Sequence, residues 1–176
     1  VWWWPQGNTA LSAGEVGEGY RAVDDPSVVV RFAVKDRPGT FLLAWTTTPW
    51  TLPSNVALAV GPDVQYREMK SDKETVIVAE ALKDLAQGYE EGRGLRGQEM
   101  LGWKYEPLFS FRKPEGKAYE VVPGDFVTLD TGTGIVHVAP AFGEDDNKLA
   151  KKLGLAFLQL VEPDGRMSLD AGDFKG

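Results

Sequence analysis

Cysteine is absent from the 176 residues, and histidine occurs once, at His137. Without cysteine the chain can form no disulfide, thiolate nucleophile or cysteine-ligated zinc site. A single imidazole also argues against a histidine-rich metal site, so we expect neither a metal nor a cofactor. No apolar run reaches the roughly 18 residues of a membrane span, and residues 1–4 lack the charged start of a signal peptide. These absences predict a soluble, cytoplasmic protein with no membrane partner.

Positive charge is also scarce, since the net charge is −7 and the isoelectric point about 4.8. Proteins that bind RNA on their own are usually basic, because neutralisation of phosphates dominates their affinity. If this chain handles nucleic acid, we expect it to bind weakly by itself. Most of the binding energy for the nucleic acid would then come from another domain or protein.

The composition favours short strands joined by turns. Hydrophobic residues make up 43% of the chain, with 20 glycines and 11 prolines, which suits many turns better than a helical bundle. A chain of this size buries roughly 70% of its unfolded surface. We therefore expect one domain over residues 1–176, with an irregular N-terminal arm over 1–27. The expected fold class is mainly β with peripheral α-helices, resembling a β-barrel.

Hydrophobic patterning gives the individual elements. Strands are predicted at 28–34, 41–45, 56–60, 64–69, 75–79, 119–122, 135–139, 156–161 and 166–169. Helices are predicted at 79–86 and 143–153, and residues 88–117 are expected to be exposed connections around one short strand. The second helix has acidic residues in its first turn and lysines in its last, as the helix dipole favours.

The segment 46–55, with the sequence TTTPWTLPSN, is the most unusual in the chain. Three consecutive hydroxyls follow a buried strand and end at Pro49, which biases Thr48 toward an extended backbone and stops the strand. Hydroxyls at such a strand end can orient a water molecule or hold a carbonyl oxygen. A polar strand end followed by a proline turn is the alternative reading of these residues alone.

The segment 132–146, with the sequence GTGIVHVAPAFGEDD, is the second unusual stretch. It runs through a buried strand that carries His137 and ends at a helix start that carries Asp146. A histidine in an apolar strand is often a core residue, and an aspartate at a helix start is often only a charge that stabilises the helix terminus. The glycines do not form a phosphate loop, because they precede the strand and no Gly-Lys-Ser/Thr follows.

Together, the two segments resemble the signature peptides of the editing domain in the isoleucyl-, valyl- and leucyl-tRNA synthetase group. The form TTTPWTLPSN is similar to the isoleucyl branch, since the other branches carry an arginine after the first two threonines and an acidic residue in place of Trp50. The second peptide is also similar to the isoleucyl pattern. The resemblance extends from about residue 8 to the C-terminus and is weakest between 85 and 120.

The resemblance implies an aminoacyl-tRNA deacylase that hydrolyses tRNA(Ile) charged with valine, and it leaves open whether valyl-adenylate is a second substrate. The implied partners are the 3′ end of the mischarged tRNA, its valine moiety and the rest of a synthetase. The implied catalytic residues are Thr46, Thr47, Thr48, His137 and Asp146. The same residues and Trp50 are implied to bind the substrate, with Trp50 shaping the site of the terminal adenosine.

Each of these residues receives a role through the resemblance. Asp146 would bind the α-ammonium of the misattached amino acid, for which a carboxylate is the right partner. Thr46 and Thr47 would contact the substrate carbonyl and the terminal adenosine. Thr48 and His137 would bound the side-chain pocket and exclude the additional methyl group of isoleucine. With an ordinary pKa near 6.5, His137 would titrate in the physiological range, but its strand position favours a steric and hydrogen-bonding role.

The His-Ile-Gly-His and Lys-Met-Ser-Lys-Ser signatures of a synthetic site are absent, so we do not expect amino-acid activation with ATP. Three alternatives stay open. In the first, the chain is a valyl-type editing domain that acts on threonyl-tRNA. In the second, it is a non-catalytic β-barrel that binds RNA ends or another protein. In the third alternative it binds aminoacyl-adenosine but hydrolyses little, because the rest of a synthetase must position the tRNA.

Overall fold

The computed structural model describes residues 2–176, which form two compact units. The first unit contains the described residues up to Pro26 together with Gln159–Gly176, and the second contains Ser27–Leu158. All of the site residues predicted from the sequence belong to the second unit. The single-domain organisation over 1–176 stays a prediction.

The N-terminal part of the first unit contains regular structure. Strands β1 (Trp2–Trp4) and β2 (Thr9–Leu11) pair antiparallel and are followed by helix α1 (Ala13–Glu18). A capping box begins the helix: the backbone N–H of Glu15 donates to the Ser12 hydroxyl, and the Ser12 N–H donates to the Glu15 carboxylate. The expectation of an irregular arm over 1–27 therefore differs from the structure.

The C-terminal part of the first unit has less strand than predicted. Val161 and Met167 form an isolated bridge, and Leu169–Phe174 is a 3-10 helix. A tight turn ending at Gly165, with a φ of +85°, lies between the bridged residues. The predicted strands 156–161 and 166–169 are therefore wrong, because pairing stops after one residue pair.

The second unit is built mainly from strands. They are β3 (Val28–Ala33), β4 (Thr40–Thr46), β5 (Ala57–Val60), β6 (Gln65–Lys70), β7 (Thr75–Ala79), β8 (Glu90–Arg96), β9 (Glu120–Pro123) and β10 (Ile135–Val138). The helices are α2 (Gly97–Met100), α3 (Glu144–Leu153) and 3-10 helices at Pro49–Ser54 and Glu80–Leu85. The mainly β fold with peripheral helices is confirmed. The helix predicted at 79–86 is a 3-10 helix, and 88–117 contains a longer strand, β8, than expected.

Two sheets make up this unit. One has the strand order β3-β4-β7-β6-β8, in which only the β4–β7 pairing is parallel. The other has the order β10-β5-β9, with β10 antiparallel and β9 parallel to the central strand. The strands predicted at 64–69 and 75–79 are confirmed as β6 and β7, which pair antiparallel as a hairpin. The continuous apolar runs of β4 and β5 fit strands buried on both faces.

Thr133, two residues before β10, ties the two sheets together. The Thr133 hydroxyl donates to the Leu43 carbonyl on β4 at 2.6 Å, and the Ala79 N–H on β7 donates to the Thr133 carbonyl at 2.9 Å. The shared core between the sheets includes fully buried Phe32, Leu58, Tyr66, Ile77 and Tyr105. The ends of β4 and β10 are therefore held in a fixed relation by backbone and core contacts.

Candidate functional site

The threonine run lies where β4 ends. Thr46 is the last residue of β4 and is buried, and Pro49 begins the 3-10 helix that follows, a position that suits its fixed φ. The Thr48 N–H donates to the Thr46 hydroxyl at 3.0 Å, and the two hydroxyl oxygens are 3.2 Å apart. The strand end thus turns its hydroxyls toward one another.

Thr51 joins this run to the second segment. Its hydroxyl donates to the Thr48 carbonyl at 2.8 Å and lies 3.4 Å from the Thr48 hydroxyl. The same oxygen is 3.0 Å from Nε2 of His137, 86 positions further along the chain. The two unusual segments therefore meet through a buried side-chain contact. We call Thr46, Thr48, Thr51 and His137 the hydroxyl–imidazole cluster.

His137 sits on β10, opposite Leu58 of β5, and is 8% exposed. Burial lowers the pKa of the imidazole to about 4, because the charged form loses its hydration. The ring is therefore neutral at pH 7, and the expectation that it titrates in the physiological range is wrong. Its second nitrogen, Nδ1, is buried and has no hydrogen-bond partner among residues 2–176.

Asp146 lies in the first turn of α3 and is half-buried. Its Oδ2 accepts a hydrogen bond from the Ala139 N–H at 2.9 Å, just after β10. A side chain on Gly143 would meet this carboxylate, since an added Cβ would come within 2.7 Å of Oδ2. Burial raises the pKa of Asp146, the Ala139 hydrogen bond opposes that shift, and the charge of Asp145 adds to it.

The remaining predicted residues flank the cluster. Thr47 is half-buried between Thr46 and Thr48, and Trp50 is 58% exposed in the first turn of the 3-10 helix. Within residues 2–176, no hydrogen bond links Asp146 directly to the threonines; its bond to Ala139 connects it to the strand that carries His137. The structure thus joins His137 to the threonine segment and bonds Asp146, on α3, to Ala139, the residue that follows the His137 strand.

Sequence reasoning missed Thr51 and Asn55 as individual residues. Asn55 is buried, where it accepts a hydrogen bond from the Tyr105 hydroxyl at 2.6 Å and donates to the Ala57 carbonyl at 2.9 Å. Its amide therefore holds the start of β5. For Thr51 a signal was present, because a hydroxyl three positions after Thr48 meets it once Pro49 starts a helical turn.

Two further observations bear on ligands. Within residues 2–176, no group of three histidine, cysteine or acidic side chains is placed to hold a metal ion. Across the same residues, no helix has the length and apolar character that crossing a membrane requires.

A groove of about 210 Å³ lies elsewhere in the second unit and contains none of the predicted site residues. It is lined by Val29, Arg31, Leu43, Glu74, Val76, Leu85, Ala86 and Tyr89. Arg31 binds both carboxylate oxygens of Glu74 at 2.8 Å, and Tyr89 donates to the same group. Arg31 and Tyr89 already bind the Glu74 carboxylate. The hydroxyl–imidazole cluster is therefore the stronger candidate for a functional site.

Comparison with known proteins identifies close relatives in sequence. The chain is 48% identical over 173 residues to the isoleucine–tRNA ligase of Clostridium acetobutylicum and 44% identical over 165 residues to that of Picrophilus torridus. These alignments cover 98% and 93% of the chain but only 17% and 16% of the relatives. The chain thus spans about a sixth of the length of the curated relatives it matches. No protein-family model matches it.

Solved structures share the fold at low sequence identity. The GlLeuRS-CP1 structure matches with a TM-score of 0.63 at 19% identity, over 73% of this chain and 58% of that one. The editing domain of the P. knowlesi cytosolic leucyl-tRNA synthetase matches with a TM-score of 0.59 at 16% identity, over 73% of this chain and 62% of that one. At these identities the likeness establishes the architecture.

Proposed function

Since the chain is homologous to one segment of the isoleucine–tRNA ligases and has the fold of synthetase editing domains, we propose that it hydrolyses tRNA(Ile) charged with valine. The observation that carries this proposal is the 3.0 Å contact between Thr51 and His137. It brings two segments with editing-type sequences to one place. The 3′ end of the mischarged tRNA and the rest of a synthetase are the proposed partners.

The need for such a reaction is energetic. Isoleucine and valine differ by one methylene, and a hydrophobic pocket separates such a pair by only about 1–3 kcal/mol, a figure for which isoleucine–tRNA ligase is itself the reference case. A second pocket that accepts valine and rejects isoleucine reverses the order of sizes. Excess bulk is then penalised by steric clash, while missing bulk costs only lost contacts.

In this proposal Asp146 binds the α-ammonium of the valine moiety. Its Oδ2 is held by the Ala139 N–H, which leaves the other carboxylate oxygen for the ligand. Partial burial makes the unpaired carboxylate costly and an ammonium partner correspondingly favourable. An ion pair there would fix the substrate at its amino end.

Thr46 and Thr47 are proposed to contact the ester carbonyl and the terminal adenosine. Thr48 and His137 are proposed to form the wall against the valine side chain. Exposed Trp50 offers an aromatic face to the adenine base.

The proposed reaction needs no covalent intermediate. A water molecule adds to the ester carbonyl carbon, the bond to the ribose oxygen breaks, and the proton lost by the water ends on that oxygen. A histidine with a pKa of about 4 is a weak base at pH 7. Positioning of the water and stabilisation of the oxyanion by hydroxyl and backbone donors are therefore the proposed sources of acceleration.

The direct test is deacylation of three substrates by the purified chain: valyl-tRNA(Ile), isoleucyl-tRNA(Ile) and threonyl-tRNA(Val). Hydrolysis of the first, with the second spared, is expected. Preference for the third would favour a valyl-type editing domain. If the chain hydrolyses none of the three substrates but still binds an aminoacyl-adenosine analogue, the proposal that the isolated chain is an enzyme is contradicted. The chain would then be a binding module.

A further inference from the structure

The hydroxyl of Thr51 has one proton to donate and several polar neighbours. The Thr48 carbonyl can only accept and, at 2.8 Å, is the nearest polar neighbour of the Thr51 hydroxyl, which places the Thr51 proton on that contact; the same carbonyl also accepts the Thr51 N–H at 3.0 Å. The two lone pairs of the Thr51 hydroxyl oxygen then face the Thr48 hydroxyl at 3.4 Å and His137 Nε2 at 3.0 Å. Thr51 therefore accepts from the imidazole.

An accepting Thr51 determines where the imidazole proton lies. A neutral histidine has one N–H, and the hydrogen bond made by one nitrogen fixes the form of the other. Nε2 must carry the proton to donate to Thr51, which leaves Nδ1 as an unprotonated acceptor. Burial keeps the ring neutral at pH 7. At that pH the ring therefore carries its single proton on either Nε2 or Nδ1.

The ring has few other polar restraints. The backbone of His137 is fixed by antiparallel pairing with β5 opposite Leu58, but Nδ1 has no hydrogen-bond partner among the described residues. Within that part of the chain, the bond to Thr51 is the hydrogen bond that distinguishes one ring orientation from its flipped counterpart. Losing one such bond changes the ratio of two states by roughly three- to tenfold.

We propose that Thr51 is a positioning residue that holds His137 in the Nε2–H form and in one ring orientation. The part of this inference that concerns selectivity rests on the proposed function, because there the oriented ring is one wall of the valine pocket. Thr51 would not touch the reacting atoms in that arrangement. It would act through the imidazole.

The tautomer is measurable without any substrate. His137 is the single histidine of the chain, so ¹⁵N NMR of imidazole nitrogens gives one pair of signals, and both belong to this residue. For the unaltered protein at pH 7 we expect Nε2 protonated and Nδ1 unprotonated. Thr51→Val, which keeps the shape and removes the hydroxyl, should shift the ratio of Nε2–H to Nδ1–H forms by roughly three- to tenfold; Thr51→Ser should restore it.

A matched control separates this effect from general loss of stability. Thr133→Val removes another buried threonine hydroxyl, which donates to Leu43 and has no hydrogen bond to His137. It should leave the tautomer unchanged. An Nδ1–H form in the unaltered protein, no change in Thr51→Val, or an equal change in Thr133→Val would each overturn the inference.

Deacylation then tests the positioning role. Thr51→Val should raise the rate on isoleucyl-tRNA(Ile) relative to valyl-tRNA(Ile), and Thr51→Ser should return the ratio to that of the unaltered protein. A shifted tautomer with an unchanged ratio would overturn the effect on selectivity. If the unaltered chain hydrolyses neither substrate, the proposed function fails, while the NMR result still decides the tautomer.

Discussion

Two polar regions of the second unit are built on opposite principles. The hydroxyl–imidazole cluster is uncharged and mostly buried, and its members are joined by hydrogen bonds of 2.8 to 3.4 Å. On β6, β8 and the adjoining 3-10 helix, Arg67 contacts Glu80 at 2.6 Å and Lys83 contacts Glu91 at 2.6 Å, all at least partly exposed. The first region contains no formal charge at pH 7, and the second consists of charges.

The difference follows from the cost of burying charge. An ion pair near water contributes little, because solvent screens it. A buried charge without a partner is expensive, whereas neutral hydroxyls and a neutral imidazole can satisfy one another away from water. Asp146 lies between these extremes, as a half-buried carboxylate with one hydrogen bond. We therefore expect function to depend on the cluster and Asp146, and to be insensitive to the ion pairs.

The largest effect is expected at Asp146. Asp146→Asn keeps the shape but removes the charge that is proposed to bind the substrate ammonium, so deacylation of valyl-tRNA(Ile) should fall at least about thirtyfold. Asp145→Asn, an exposed neighbour in the same helical turn, is the matched control and should retain the rate. Equal activity of Asp146→Asn and the unaltered protein would remove the ammonium-anchor role.

Removing the imidazole is expected to relax selectivity. His137→Ala enlarges the proposed pocket by more than one methyl group, so isoleucyl-tRNA(Ile) hydrolysis should rise relative to valyl-tRNA(Ile) by roughly 10- to 100-fold. Val136→Ala alters the neighbouring residue, whose side chain points to the other face of the strand. It should leave the ratio unchanged, and a similar relaxation in both variants would argue against a gate at His137.

The buried imidazole should also make stability depend on pH. Its pKa is about 4 when folded and about 6.5 when unfolded, so the unfolded state takes up the proton first as the pH falls. The stability contribution is complete above about pH 6.5 and is lost progressively down to about pH 4.

Between pH 7 and pH 5 the free energy of unfolding should therefore drop by about 2 kcal/mol more than in His137→Gln. Urea denaturation at both pH values measures this difference. Asp146, whose pKa is raised, acts in the opposite direction but is present in both proteins. Identical pH dependence in the two proteins would mean that the folded imidazole keeps an ordinary pKa.

The smallest effect is expected at the ion pairs. Glu80→Gln removes a charge that contacts Arg67 and Lys83, and screening there makes the loss minor. The urea midpoint should change less than in Thr133→Val, and deacylation should be unchanged. A loss of activity comparable to that of Asp146→Asn would break the contrast between the two regions.

Much of the second unit was predictable because its signals are local. The continuous apolar runs gave β4, β5 and β10, and the charge pattern gave α3 at Glu144–Leu153. The fold of the first unit was less accessible, since β1 and β2 pair across a turn that uses a left-handed φ at Asn8. The capping signal Ser12-x-x-Glu15 was present and identifies α1 once it is sought.

The candidate site divides in the same way. Its residues could be selected from the sequence, since each lies in a recognisable segment. The Thr51–His137 contact could not, because it spans 86 positions and depends on how the sheets are joined. The lowered pKa of His137 was equally hidden, because it arises from burial and not from any neighbour in sequence.

The pairing of β10 with β5 sets His137 opposite Leu58 and Val138 opposite Ala57. Because alternate residues of a strand face opposite sides, a slip of one position would replace the imidazole with an adjacent valine. If His137 forms the proposed wall of the valine pocket, a single-residue deletion between Gly134 and His137 should change substrate choice as much as replacing the histidine does. In the proposed arrangement, the pairing of β5 with β10 sets the size limit as much as the side chain of His137 does.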